Sequence, residues 1–274
     1  MFYYTYFADK VKDLPDIPCR KLSPSRTWEH ISPVGFFHQN KWHSLSCKDN
    51  LPSTNERYKQ CLLNREIYMI GDSSLRMWFI TMVKMLNLSI TIGPEYILHG
   101  NAWHQLAKAE NETYKDENIT VTWTPHEMPF FSSAEDAIVD HFKPASFYLE
   151  KITSEKPIII LHWYLHLAAT TASVFQEHIR KAKSALLKFL KRVPNAKIFI
   201  KGPHNINIKR NKGIPHDFVR FYQEDILFQE FKEISDKIMF LNEWDITVAS
   251  ESKETHPSQY INRQMVHNMM TLIC

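Results

Sequence analysis

The chain has 274 residues with 44% apolar and 13% aromatic content, enough to bury one large core, and no block of it is polar enough to read as disordered. Thirty-three basic against 30 acidic residues leave a net charge of +3, so no overall field attracts nucleic acid, which is not an expected partner. No run approaches the roughly 18 unbroken apolar residues of a membrane span, so none is expected in this chain.

The opening "MFYYTYFADK" lacks a basic start and a small-residue cleavage site, so it is a poor signal peptide. Residues 1–60 are rich in Pro, Ser and aromatics without a sustained period and read as an irregular N-terminal wrapping segment, leaving 61–274 as the domain proper. The regular part begins near Arg65 with a strand "EIYMIG", a helix over 74–86 and a strand "SITI". Residues 100–115 read as an inserted loop, "NITVTW" as a strand and 133–142 as a short helix.

"KPIIILHW" is a β-branched run without alternation, as expected of a strand covered on both faces. Residues 173–192 place Val174, Phe175, Ile179, Ala182, Leu186 and Leu190 on one helical stripe, with a basic face opposite that is expected to be solvated. Pro194 stops that helix. "AKIFIKG" gives a strand, 217–236 a helix, "IMFLNEW" a strand and 258–271 a final helix. Strands alternating with helices of this length predict an α/β fold of three layers, α/β/α, around a mainly parallel sheet. Ligands of such sheets bind at the carboxyl ends of the strands.

Four cysteines, Cys19, Cys47, Cys61 and Cys274, form no C-x-x-C pair, which argues against structural zinc and leaves disulfides or buried thiols. Cys47 with Cys61 closes the shortest loop and is the expected pair. Sequons at Asn87, Asn111 and Asn118 fit a lumenal protein. Only six glycines occur, too scattered for a dinucleotide loop or a P-loop, so NAD and ATP are not expected. His162 and His166 are spaced as a helical metal pair, but they follow a strand and no third ligand is evident; no metal or other cofactor is expected. Trp42, Trp103, Trp123 and Trp163 suit sugar stacking, though core packing accounts for most of them.

In "REIYMIGDSSLRMWF", an apolar run ends in Gly-Asp-Ser and an amphipathic helix starts at once. Ser73 there is either a nucleophile with its own N–H free for an oxyanion, or, like Asp72, a helix cap. A nucleophile needs a base, and His256 lies in the loop before the last helix, where the chain can return to the edge carrying Ser73.

"GDSSLRMWF" resembles the Gly-Asp-Ser-x-x-Arg motif of PC-esterases in the SGNH/GDSL hydrolase superfamily. "SPVGFFHQNKWHSLSC", "QCL", "YMIGDSSLRMWF", "NITVTWTPH", "NEWDIT" and "HPSQYINRQMVHNMMTLIC" resemble, in order, the C-terminal domain of the NXPE (neurexophilin and PC-esterase domain) family over residues 33–274. The resemblance implies an SGNH-like fold with Ser73 as nucleophile and His256 as base. Asp72, Arg76 and His166 fall in the oxyanion and substrate-binding set. Two positions depart from the pattern. Lys253 stands where the Asp-x-x-His acid belongs, leaving Glu254 or Glu251 to orient His256, and His126-Glu127 replaces a His-Gly. A missing orienting acid lowers serine hydrolase rates by a factor on the order of 10^4.

The resemblance implies a glycan O-acyl esterase or O-acetyltransferase of the secretory lumen or secreted space, a glycoprotein with disulfides whose partner is a glycan or acyl-bearing substrate. The rival expectation is a pseudoenzyme of the same fold that binds a protein partner. Relatives of this kind carry a targeting segment and a further N-terminal β domain, so the chain reads as N-terminally incomplete.

Overall fold

A computed structural model of the chain describes residues 15–29, 32–91, 107–110, 118–126, 143–206, 217–252 and 254–274. The predicted helix over 133–142 lies outside these residues. Among them, a hairpin of β1 (Gly35–His38) and β2 (Lys41–Ser44) precedes α1 (Asn55–Leu62), β3 (Arg65–Gly71), α2 (Ser73–Leu86) and β4 (Ser89–Thr91). Then come β5 (Ala107–Glu110), β6 (Ile119–Pro125), α3 (Ala145–Lys151), β7 (Ile158–Leu161), α4 (Ala172–Arg192) and β8 (Lys197–Lys201). The chain closes with α5 (Asp217–Phe231), β9 (Met239–Leu241), α6 (Trp244–Ala249) and α7 (Gln259–Ile273).

The sheet runs β4-β5-β6-β3-β7-β8-β9, parallel from β6 to β9, with β5 antiparallel to both its neighbours. β3 comes first in the chain and lies between β6 and β7, so the winding reverses beside it, and that reversal opens a crevice at the carboxyl ends. Alternation along β3 sends Ile67 and Met69 to one face, with Trp78, Met82 and Met265, and Ile70 to the other, with Leu149, Phe175 and Phe231. Helices cover both faces, giving the three layers that the alternation predicts. β7 is buried at every residue, as its unbroken β-branched run requires.

Several expectations are corrected. Residues 107–110, inside the predicted loop, form a strand that adds antiparallel to β6. The described part of residues 1–60 is less irregular than its composition suggests, because this segment docks on the domain: Val34 N–H donates to Asp245 at 2.9 Å, Trp28 Nε1–H to the Ile238 carbonyl at 2.8 Å, and Tyr58 of α1 meets His267 of α7 at 2.7 Å. The apolar stripe of α4 is rotated. Val174 stays exposed, while Ala185 and Phe189 join Phe175, Ile179, Ala182 and Leu186 inside.

The disulfides join Cys19 to Cys47 and Cys61 to Cys274, not Cys47 to Cys61. A backbone bridge between Pro18 and Lys48 brings Cys19 beside Cys47, with Cys19 N–H on the Lys48 carbonyl at 3.0 Å. Cys61 instead sits near the end of α1, where the last residue of the chain arrives from α7. Trp42, Trp123 and Trp163 are buried in the core, and Trp103 lies outside the described residues. No described helix is long and apolar enough to cross a membrane.

Candidate active site

The carboxyl edge of the parallel sheet is lined with polar side chains that the interior would ordinarily exclude. His126 follows β6, Asp72 follows β3, His162 follows β7, Lys201 ends β8 with His204 close behind, and Glu243 follows β9; all are buried. Each lies at the end of a strand or within three residues after it, so the sheet itself sets the spacing of the row.

Asp72 caps α2. Its Oδ1 accepts the Ser74 N–H at 2.8 Å and the Ser74 hydroxyl at 2.6 Å, and its Oδ2 accepts the Leu165 N–H at 2.6 Å. Burial pushes this carboxyl up, but the imidazoles of His162 and His166, the Ser74 bond and the Lys201 ammonium outweigh it and hold it well below the usual range. Gly71 lets the strand turn into this cap: a Cβ there would meet Leu75 at 2.8 Å and His162 at 3.0 Å.

The cap fixes Ser73, the first residue of α2. Its half-buried hydroxyl lies 2.7 Å from His256 Nε2. Among the described residues none accepts a hydrogen bond from the Ser73 N–H, one of the leading donors that a helix cannot satisfy internally. His256 reaches Ser73 because His204 Nε2–H donates to the Thr255 carbonyl at 2.8 Å and Ser258 caps α7 immediately after. Burial lowers the His256 pKa; Asp72 opposes this, and Arg76 and Lys201 reinforce it, so the ring is neutral near pH 7 and its Nε2 accepts the Ser73 proton.

Structure brings Ser73, His256, Asp72 and Arg76 to one place, with the Arg76 guanidinium 5.9 Å from the Trp123 ring centroid. His166 lies on the next loop, its ring 4.8 Å from that of His126. Glu254 is exposed and makes no hydrogen bond to His256, and Glu251, also exposed, turns the chain with a positive φ. Among the described residues no carboxylate bonds His256 Nδ1; Lys253 and Glu127 lie outside them.

Sequence reasoning considers His162 only as half of a metal pair with His166 and misses Lys201, His204 and Glu243. "LHW" and "KGPHN" read as strand ends, and the one available signal was a polar residue directly after each buried strand. No group of described residues is arranged to hold a metal ion. A cavity of about 60 Å³ between the hairpin, β9 and α7, lined in part by Trp42, Phe240 and Asn268, includes none of these side chains.

The domain is a mainly parallel α/β sheet with a serine and a histidine in hydrogen-bond contact at its winding reversal. The family described as "NXPE family member 4-like, C-terminal domain" matches residues 42–274, and the chain belongs to that family.

Among solved structures, it is similar to an active-site mutant of a family two carbohydrate esterase from Clostridium thermocellum: 14% identity, 76% of this chain, 62% of that one, TM-score 0.37. The chain thus spans less than two thirds of that esterase. It is also similar to a candidate GDSL-like lipase from Parabacteroides merdae, with 10% identity over 77% of this chain and 96% of that one and a TM-score of 0.40. A third likeness is to the N-terminal part of a Bacteroides fragilis protein containing a phosphatase domain, with 11% identity over 79% of this chain and 55% of that one and a TM-score of 0.32.

Proposed function

We propose that this domain is a serine-dependent O-acyl esterase or O-acetyltransferase acting on glycan hydroxyls. The observation that carries this reading is the 2.7 Å contact between the Ser73 hydroxyl and a neutral His256 at the start of a helix. Ser73 Oγ attacks the acyl carbonyl as His256 Nε2 takes its proton, and the Ser73 N–H faces the developing oxyanion. The acyl-enzyme then passes its acyl group to water or to a sugar hydroxyl, with the proton returned through His256. Arg76 supplies a cation for a polar substrate group, His166 a second donor for the oxyanion, and Glu254, two residues before His256, the acid for its imidazole. No cofactor enters this scheme.

Two disulfides suit an oxidising compartment, and the exposed sequon residues Asn87 and Asn118 suit glycosylation there, which supports a secreted or Golgi-lumenal setting. A second reading, a binding protein without turnover, is favoured by one observation: no described carboxylate backs the His256 ring. Acetyl release from O-acetylated glycans, measured beside Ser73→Ala and His256→Ala, separates the two. The esterase reading expects either variant to lose on the order of 10^3-fold in rate, and turnover that survives Ser73→Ala refutes it.

A further inference from the structure

The edge holds a charge that the proton transfer from Ser73 does not consume. Lys201 is 1% exposed, its Nζ 3.3 Å from His162 Nε2 and 5.6 Å from the centroid of the Trp78 ring. No described carboxylate comes within ion-pair distance of it. Glu243 is fully buried, and neither of its carboxyl oxygens has a hydrogen-bond partner among the described residues. Burial pushes Lys201 down and Glu243 up, and after burial the strongest influence on each is the other. An apolar residue at the end of β8 would avoid the desolvation of an ammonium, so the charge itself needs a reason.

His162 supplies one. Its Nδ1–H donates to the Lys201 carbonyl at 2.8 Å, which leaves Nε2 with a lone pair, and the Lys201 ammonium faces that lone pair. Lys201 thus contacts both nitrogens of the ring. Ser74 Oγ lies 2.8 Å from the same Nε2 and 2.6 Å from Asp72 Oδ1, so its one proton is shared between these two acceptors. Lys201, His162, Ser74 and Asp72 thus form a buried series that ends at the peptide preceding Ser73. Across the crevice, the groups acting on His256 are Asp72 from the end of β3, Arg76 from α2 and Lys201 from β8, while the His204 ring holds its loop through Thr255.

The geometry points to Lys201 as a positioning residue of the Ser73 and His256 pair: through its carbonyl and its ammonium it clamps His162 as the Nδ1–H tautomer against the Ser74 and Asp72 cap that carries Ser73. This inference rests on the reading of Ser73 as a nucleophile but is testable apart from it. Removing the cation leaves Asp72 less opposed, so His256 binds a proton more readily and the acid limb of the Ser73 reaction moves to higher pH.

The experiment is imidazole 15N NMR of the folded chain with both disulfides intact, for wild type, Lys201→Met and Lys201→Arg, beside the pH profile of fluorophosphonate labelling at Ser73. Expected are a neutral Nδ1–H His162 throughout pH 5 to 8, a His256 midpoint raised by at least about half a pH unit in Lys201→Met, and a midpoint restored in Lys201→Arg. An Nε2–H or charged His162 at pH 7 in the wild type overturns the clamp, and a folded Lys201→Met with an unmoved His256 overturns the positioning role. Should Lys201→Met not fold, the wild-type tautomer and the Lys201→Arg midpoint decide. Wild type that shows the expected NMR but no labelling refutes the nucleophile and leaves the clamp standing.

Discussion

His204 donates its Nε2–H to the carbonyl of Thr255 at 2.8 Å, and Thr255 is the residue before His256. The proposed base is therefore hung from the end of β8 across the sheet's edge, not carried by a free loop. His204→Ala leaves that carbonyl without its donor and opens space beneath the turn. The expected result is a loss of about 1–3 kcal/mol in stability and at least a roughly tenfold slower reaction at Ser73, since a displacement of about 1 Å suffices. Denaturant melts and probe-labelling rates measure the two effects separately.

Gly71, next to the capping Asp72, lies close against Leu75 and His162. Gly71→Ala drives a methyl group against Leu75 and against the backbone of β7 at His162, where backbone has little room to yield. We expect a destabilisation of about 1–3 kcal/mol together with weakened labelling, whereas Gly93→Ala serves as a comparison outside the described residues.

Acid stability follows from the buried ring of His162, which burial and Lys201 depress to about 3. In the unfolded chain it titrates near 6.5, so the unfolded state binds the extra proton between those values. Stability is then full above about pH 6.5 and falls as pH drops toward 3, by up to about 1.4 kcal/mol per pH unit from this ring. Asp72, held well below the usual carboxylate range, adds a further loss that begins only below about pH 4. Urea melts over pH 4 to 8 check the window; His162→Gln is expected to flatten the upper part of it, and an unchanged slope contradicts the assignment.

The disulfide between Cys61 and Cys274 spans 213 residues and ties the end of α7 to α1. Cys61→Ser with Cys274→Ser is expected to cost about 2–5 kcal/mol, measured by denaturant unfolding against the oxidised parent. His256 lies at the other end of α7, so the reaction at Ser73 should weaken less than stability does.

Much of this architecture is legible in the sequence because buried parallel strands and amphipathic helices announce themselves: "EIYMIG", "KPIIILHW" and "AKIFIKG" each lie on an observed strand of the parallel sheet. Ser73 and His256 were reached from a strand-to-helix turn and a loop position, and they meet in space. Lys201 and Glu243 were not reached, and His162 only as half of a metal pair. A lysine ending "IFIK" looks like an edge residue snorkelling to water, and only the neighbouring strands reveal that the edge is covered. Disulfide pairing failed for a related reason: loop length ranks pairs by chain distance, while the Pro18 bridge and the end of α7 decide which cysteines meet. The hairpin and α1 are hidden by a Pro- and Ser-rich composition, and they gain their order by docking on α6 and α7 rather than from a period of their own.

The most direct measurement is covalent labelling of the oxidised chain with a fluorophosphonate, with the modified peptide located by mass spectrometry. One adduct is expected, at Ser73, that forms at pH 7, where His256 is neutral because burial lowers its pKa, and that disappears in His256→Ala. A folded chain that gives no adduct, or an adduct at Ser73 that His256→Ala leaves intact, contradicts an activated serine at this edge.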